Sequence, residues 1–310
     1  MKTQPLFSIA FSVSVVSLLF AFGLLSHNNA HAKENTSQKL ITAGGTITEI
    51  VFALDAGDSV IAVDQSSQYP QEVKQLPMVG YYRDLAAEGV LSFAPDKILA
   101  IEGVGRNEVI KQIKSTGVDV VVYDKPTSPE GLVVLIQQLG EDLGKTAQAQ
   151  QLIAQFNASL PSKATNSTAK AVFLLSASDR GLIAAGTETV PQLIFSYAGI
   201  DNVAAQHKGF KGINSEALAL QQPDFLVAPN HVVMSAGGKD KFCQSPNLRL
   251  LKAAQECRLL VMDSLQSLGM TPRLAQAIAL VKNWREKGAN EQTVSKQSAY
   301  IHTANGKRDE

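Results

Sequence analysis

Two cysteines, one tryptophan and 6% aromatic residues are all that 310 residues carry of these types, and 28 basic side chains meet 28 acidic ones. Each shortage excludes something. A formal net charge of zero, with no basic stripe and no aromatic-basic repeat, argues against a nucleic-acid partner. Two isolated cysteines without histidines at suitable spacing do not make a zinc site. No G-x-S-x-G elbow, H-E-x-x-H, G-x-x-x-x-G-K-[ST] or G-x-G-x-x-G after a strand occurs, so hydrolase, zinc-protease and nucleotide chemistries lack their motifs. Gly103-Val104-Gly105 lacks the third glycine and reads as a strand-to-helix turn. Catalysis is therefore not expected.

The amino end holds a positive signal. Lys2 precedes an apolar run from Leu6 to Leu25, which leads to Ala30-His31-Ala32. A basic start, an apolar stretch and an Ala-x-Ala end read as a secretory signal peptide, residues 1–32, cleaved after Ala32. The alternative, a retained membrane anchor, suits less well a run broken by Ser and Gly. No cysteine near the cleavage site offers a lipid anchor. In an oxidising compartment, Cys243 and Cys257 are expected to form a disulfide. Closing that loop is worth about 3 kcal/mol in the chain-entropy model.

Along the exported part, short apolar runs alternate with amphipathic stretches. Lys39–Ala43, Ser59–Val63, Lys97–Ala100, Asp119–Tyr123, Ala171–Leu175, Phe225–Ala228 and Leu259–Met262 read as strands. Thr48–Leu54, Arg106–Ser115 and Val190–Ala198 read as helices between them, so the fold class is α/β with mainly parallel sheets. An internal echo sets the organisation. EGVLSFAPDKILA (Glu88 to Ala100) and EALALQQPDFLVA (Glu216 to Ala228) both place Glu seven positions before Pro-Asp, at a constant offset of 128. AGGTITEIVFALDAG and AAGTETVPQLIFSYAG form a second, looser match. Two lobes of one design follow: residues 36–127 and 168–288. Between them, residues 128–160 carry Leu132, Leu135, Ile136, Leu139 and Leu143 on one helical face behind a Ser128-Pro129 start. Gly140 and Gly144 leave either one long bridging helix or two shorter ones open. Residues 289–310 are a polar tail that repeats nothing, expected to be disordered. A ligand would sit between the lobes, where loops of both sheets converge.

The string VGYYRDLAAEGVLSFAPD, starting at Val79, resembles the hallmark of periplasmic haem-binding proteins that feed haem ABC transporters, which carry Gly-Tyr-x-Arg-x-Leu-x-x-Glu-Gly here. ITAGGTITEIVFALDAGDSVIAVD, LIAAGTETVPQLIFSYAGIDNVAA and SLGMTPRLAQAI extend the similarity over roughly residues 39–285. The resemblance implies two Rossmann-like lobes bridged by a rigid helix, as in class III periplasmic binding proteins, and a monomer that delivers ferric haem to an inner-membrane ABC permease dimer. It implies that Tyr81, directly after Gly80, is the axial iron ligand and that Arg83 supports it. The chemistry suits these residue types: ferric iron is hard, phenolate oxygen is hard, and an arginine favours the ionised phenol without losing its own charge. In a locally extended chain Tyr81 and Arg83 would share one side and Tyr82 the other, leaving Tyr82 a structural role or a place over the porphyrin. Some members are thought to add a histidine from the segment opening the second lobe. FLLSASDRGLIAAG has none, so five-coordinate or water-completed iron is expected, or a histidine from elsewhere, with His207 the outside candidate. His231 and His302 read as surface residues. Arg180 would meet a haem propionate, the Tyr81 oxygen or solvent. Glu88 and Glu216, equivalent in the repeat, would each dock on one permease subunit or merely favour a helix N-terminus. The same architecture carrying cobalamin or a ferric siderophore is the nearest alternative, and an exported tetrapyrrole enzyme would need an acid–base pair that is not visible.

Overall fold

Leu40–Ala43 (β1), Val60–Val63 (β2), Lys97–Ile101 (β3) and Asp119–Tyr123 (β4) form the first sheet in the order β2-β1-β3-β4, all parallel. The computed structural model describes residues 38–167, 169–178 and 180–287; the leader and the 289–310 tail lie outside them. Every residue of β1 is buried, as a central strand covered on both faces requires. Helix α1 (Gly45–Ala53) follows β1 at once. It is buried from Gly45 to Val51, because it lies between layers with no free face. Helices α2 (Ala87–Leu91) and α3 (Asn107–Ser115) complete the lobe.

The segment between the lobes takes the second of its two options. Helices α4 (Pro129–Asp142) and α5 (Thr146–Ser159) are separate, and Gly144 turns the chain between them in the left-handed region, φ 64°. A Cβ added to Gly140 would lie 2.4 Å from the Ala149 Cβ, so the glycine is what lets the two helices close on each other. Ser128 caps α4 by accepting from the Gly131 N–H at 3.2 Å, a contact worth about 1 kcal/mol. Leu132, Leu135, Ile136 and Leu139 are buried, the face the sequence marked.

The second lobe contains β5 (Ala169–Ser178), β6 (Gly181–Ala185), β7 (Ile200–Asn202), β8 (Phe210–Ile213), β9 (Phe225–Pro229) and β10 (Leu259–Met262). Helices α6 (Val190–Ala198), α7 (Ser215–Gln221) and α8 (Asn230–Ser235) connect them, and a last helix runs over 274–287. The start of β5 pairs in parallel with β7 and β9, and β9 with β10. Its far end turns into an antiparallel β5-β6-β8 ribbon that the apolar runs did not announce. Alternate residues of β5 and β9 point to opposite faces. Ala171, Phe173, Phe225 and Val227 enter one core; Val172, Leu174, Leu226 and Ala228 enter another.

The internal echo has a physical counterpart. Asp96 accepts from the Lys39 N–H at 2.8 Å, just before β1, and Asp224 accepts from the Lys170 N–H at 2.7 Å in β5. Each Pro-Asp therefore ties the entry of its lobe's central strand. Cys243 and Cys257 are joined in a disulfide, Cα–Cα 5.5 Å.

The lobes are not independent. The larger core cluster is continuous from Ile41 and Ile98 in the first sheet, through Leu135 and Phe156, to Phe173 and Ile278 in the second. An ion pair crosses the same boundary. Arg273 donates from Nε and Nη2 to Glu49 Oε2 at 3.0 and 2.8 Å, reaches Asp263 at 3.4 Å, and lies 3.9 Å over the Tyr69 ring. Glu49 is only 3% exposed and its Oε1 has no hydrogen-bond partner. Burial pushes its carboxyl above the usual range, and Arg273 pulls it back.

Candidate functional site

A cavity of about 770 Å³ opens where the carboxyl ends of the parallel strands of both sheets meet. Gly44 and Gly45 follow β1, Gln65 and Ser66 follow β2, and Lys125 follows β4; from the other lobe come His231 after β9 and Ser264 after β10. Its volume lies inside the range of cofactor-sized clefts.

Tyr81 stands in this cleft, 39% exposed, on a segment fixed from both sides. Val63 bridges Met78 in parallel register, and the Gln65 N–H donates to the Gly80 carbonyl at 2.8 Å. The Tyr82 carbonyl accepts from the Gly105 N–H at 2.8 Å. Gly80 itself sits at φ 93°, where no Cβ would clash, so its backbone angle rather than space demands glycine. Tyr82–Asp84 is a 3-10 turn, so the two-residue alternation expected of an extended chain stops at Tyr81. Even so, Tyr81 and Arg83 are exposed while Tyr82 is 8% exposed, and all three line the cavity.

The two rings meet edge to face, centroids 4.9 Å apart, and the Arg83 guanidinium lies 5.1 Å from the Tyr82 centroid. Burial disfavours the Tyr82 phenolate, more than Arg83 favours it. Burial also opposes the Arg83 charge, but the two phenols outweigh that and hold it firmly protonated. Lys125, beside Glu102, is pushed down by burial first and by the Arg83 charge second. Two cations that repel each other at the wall of one cleft are a natural receptor for an anionic group.

Asp64 is the residue that pattern reading passed over. Fully buried, it follows β2 and gathers four donors: the Gly44 N–H (2.9 Å), the Ser66 N–H (2.9 Å), the Ser67 hydroxyl (2.8 Å) and the Tyr82 N–H (3.3 Å). One carboxylate thus fixes the turn after β1 and the backbone beside Tyr81. A single Asp ending an apolar run, followed by Gln-Ser-Ser, was its only trace in the sequence.

His207 lies outside the cleft lining. Its carbonyl accepts from the Thr187 N–H at 2.8 Å and its ring packs against Gly186, while Nε2 is buried without a partner. His231, read from the sequence as a surface residue, is exposed but lines the cleft. Burial lowers its pKa. Arg180 is exposed in the β5–β6 turn, away from the cavity lining. Glu88 and Glu216 are each the second residue of α2 and α7, both exposed, and neither joins an ion pair among the described residues.

A family model described as periplasmic binding protein matches residues 40–266. In structure the chain is similar to the apo form of the periplasmic heme-binding protein RhuT from Roseiflexus sp. RS-1, at 32% identity and TM-score 0.74, over 80% of this chain and 99% of that one. It is also similar to a periplasmic heme binding protein from Pseudomonas aeruginosa, at 31% identity and TM-score 0.68, over 80% and 92% of the two chains. Among curated sequences it is 24% identical over 223 residues to a vitamin B12-binding protein from Vibrio campbellii, covering 71% of this chain and 80% of that one. The chain belongs to the periplasmic binding protein family, and is a binding protein rather than an enzyme.

Proposed function

We propose that this chain takes up ferric haem in the periplasm, holds it in the inter-lobe cleft through Tyr81, and delivers it to an inner-membrane ABC permease. The observation that carries the reading is the exposed Tyr81 side chain beside Arg83 in a cavity of about 770 Å³. Haem is cargo here, not a resident cofactor. A phenolate oxygen suits ferric iron, and Arg83, which the neighbouring phenols hold protonated, stands beside Tyr81 in the same cleft. Arg83 and Lys125 offer positive charge to the propionates. Two solved relatives above 30% identity are named as heme-binding proteins, which supports the same ligand.

Glu88 and Glu216 are assigned to permease docking, one per lobe. Equivalent positions in the repeat, exposure and the absence of an ion pair among the described residues support that role. The continuous core and the Glu49–Arg273 pair support delivery without large lobe closure.

The second reading, cobalamin, rests on the named B12-binding relative. Cobalamin brings its own nitrogen ligands to cobalt and does not call for a phenolate from the protein. Parallel titrations of the purified chain with hemin and with cyanocobalamin separate the two. Stoichiometric uptake of hemin alone is expected. Uptake of cobalamin with no saturable hemin signal would reverse the assignment.

A further inference from the structure

Three consecutive residues, 81–83, line the cleft, and the middle one is buried while its neighbours are exposed. In Gly-Tyr-x-Arg the third position is open, and here a second phenol, Tyr82, fills it. Its backbone is anchored at both ends. The N–H donates to the buried Asp64 at 3.3 Å, and the carbonyl accepts from the Gly105 N–H at 2.8 Å. Tyr81 and Arg83 then meet on its ring. The Tyr81 centroid lies 4.9 Å away with the planes at 69°, and the Arg83 guanidinium carbon lies over the ring, 5.1 Å from its centroid. Gly103 borders the same cation. It sits at φ 83°, and a Cβ there would stand 3.5 Å from Arg83 Nη1, so the guanidinium has backbone for a neighbour. Ring-on-ring and cation-over-ring contacts both depend on geometry, so one fixed ring restricts the rotamers of the two side chains that touch it.

Resting on the haem reading above, we propose that Tyr82 is a positioning residue of the iron site: its ring seats the Tyr81 ring and the Arg83 guanidinium together, while its own hydroxyl makes no bond to iron. Burial keeps that hydroxyl protonated against the pull of Arg83, so the two adjacent phenols do not compete for one metal. The iron ligand and its cation thus enter the cleft already placed, which lowers the ordering cost of binding. An aliphatic side chain at this position would fill part of the space but offer the cation no π face. Phenylalanine would offer the whole ring without the hydroxyl.

Hemin titration and visible spectra of Tyr82→Phe, Tyr82→Leu and Gly140→Ala test the assignment, with urea unfolding run on each. Tyr82→Phe should keep the parent affinity and the phenolate charge-transfer band. Tyr82→Leu should lose about 10-fold in hemin affinity and shift the band, because ligand and cation lose their common seat. Gly140→Ala, strained where α4 meets α5 and outside the cleft lining, should lose stability yet keep the parent spectrum. Parent affinity and spectrum in Tyr82→Leu overturn the assignment. So does a Tyr82→Phe protein as impaired as Tyr82→Leu, since the hydroxyl and not the ring would then matter. The same band shift in Gly140→Ala overturns it as well, by making the effect one of stability alone. A band lost in Tyr82→Phe but kept in Tyr81→Phe makes Tyr82 the ligand. Absence of stoichiometric hemin uptake by the parent chain overturns the haem reading itself, and this role with it.

Discussion

Removing Arg273 should destabilise the protein in a way that depends on pH. The guanidinium is the partner of a carboxylate that is 3% exposed, and the Glu49 Oε1 has no other hydrogen bond to fall back on. In Arg273→Met the apolar stem is kept, but Glu49 is left charged and buried. Breaking a buried pair from one side typically costs about 3–5 kcal/mol. For a domain of this size that corresponds to a midpoint drop on the order of 10 °C. The pH sign follows from the direction of the Glu49 shift. Burial already raises its folded pKa, and losing Arg273 removes the largest of the effects that lower it. The folded state then holds a proton that the unfolded state has released, so stability falls as pH rises between the unfolded and folded pKa values. Within that window the limiting slope is about 1.4 kcal/mol per pH unit. Urea unfolding of Arg273→Met at pH 5.5 and 7.5 should therefore show a smaller loss at the lower pH. Glu49→Gln combined with Arg273→Met should recover part of it, because no charge remains buried. A loss that is equal at both pH values, grows on acidification, or stays below about 1 kcal/mol would refute the reasoning.

Other consequences follow from individual contacts. Asp64→Ala strands four donors and should cost on the order of 4 kcal/mol in urea unfolding, with weaker hemin binding because the Tyr82 N–H loses its anchor; a change within 1 kcal/mol would contradict this. Glycine to alanine in an exposed helix normally stabilises by roughly 1 kcal/mol, yet Gly140→Ala should destabilise by about 1–3 kcal/mol, since the new methyl meets Ala149. Glu88→Lys with Glu216→Lys should reduce haem uptake in a reconstituted transport assay and leave hemin affinity alone; lost affinity would point to a structural role instead.

How much of this was legible beforehand divides along physical lines. The parallel strands announce themselves because burial on both faces demands continuous apolar runs, and β4, β10 and α6 fall where periodicity put them. The ribbon of β6 and β8 was missed, since FKGI is largely exposed and carries no alternation. Tyr81 was singled out by its motif, but the Asp64 carboxylate that holds its neighbour depends on segments 18 and 20 residues away. Glu49 and Arg273 lie 224 residues apart, and no local pattern links them. His231 is exposed, as its sequence reading had it, but its place in the cleft lining was not legible for a related reason. One histidine at a strand-to-helix junction says nothing until β10 brings Ser264 beside it.

The central claim is that the Tyr81 oxygen bonds the iron, and Tyr81→Phe tests it with the loss of a single atom. Hemin should give the parent chain a phenolate-to-iron charge-transfer band, and the resonance Raman spectrum excited in that band should carry phenolate modes. In Tyr81→Phe both should disappear and hemin affinity should fall by tenfold or more, a loss of at least about 1.4 kcal/mol. A Tyr81→Phe protein that binds hemin with the parent affinity and the parent spectrum would contradict the account.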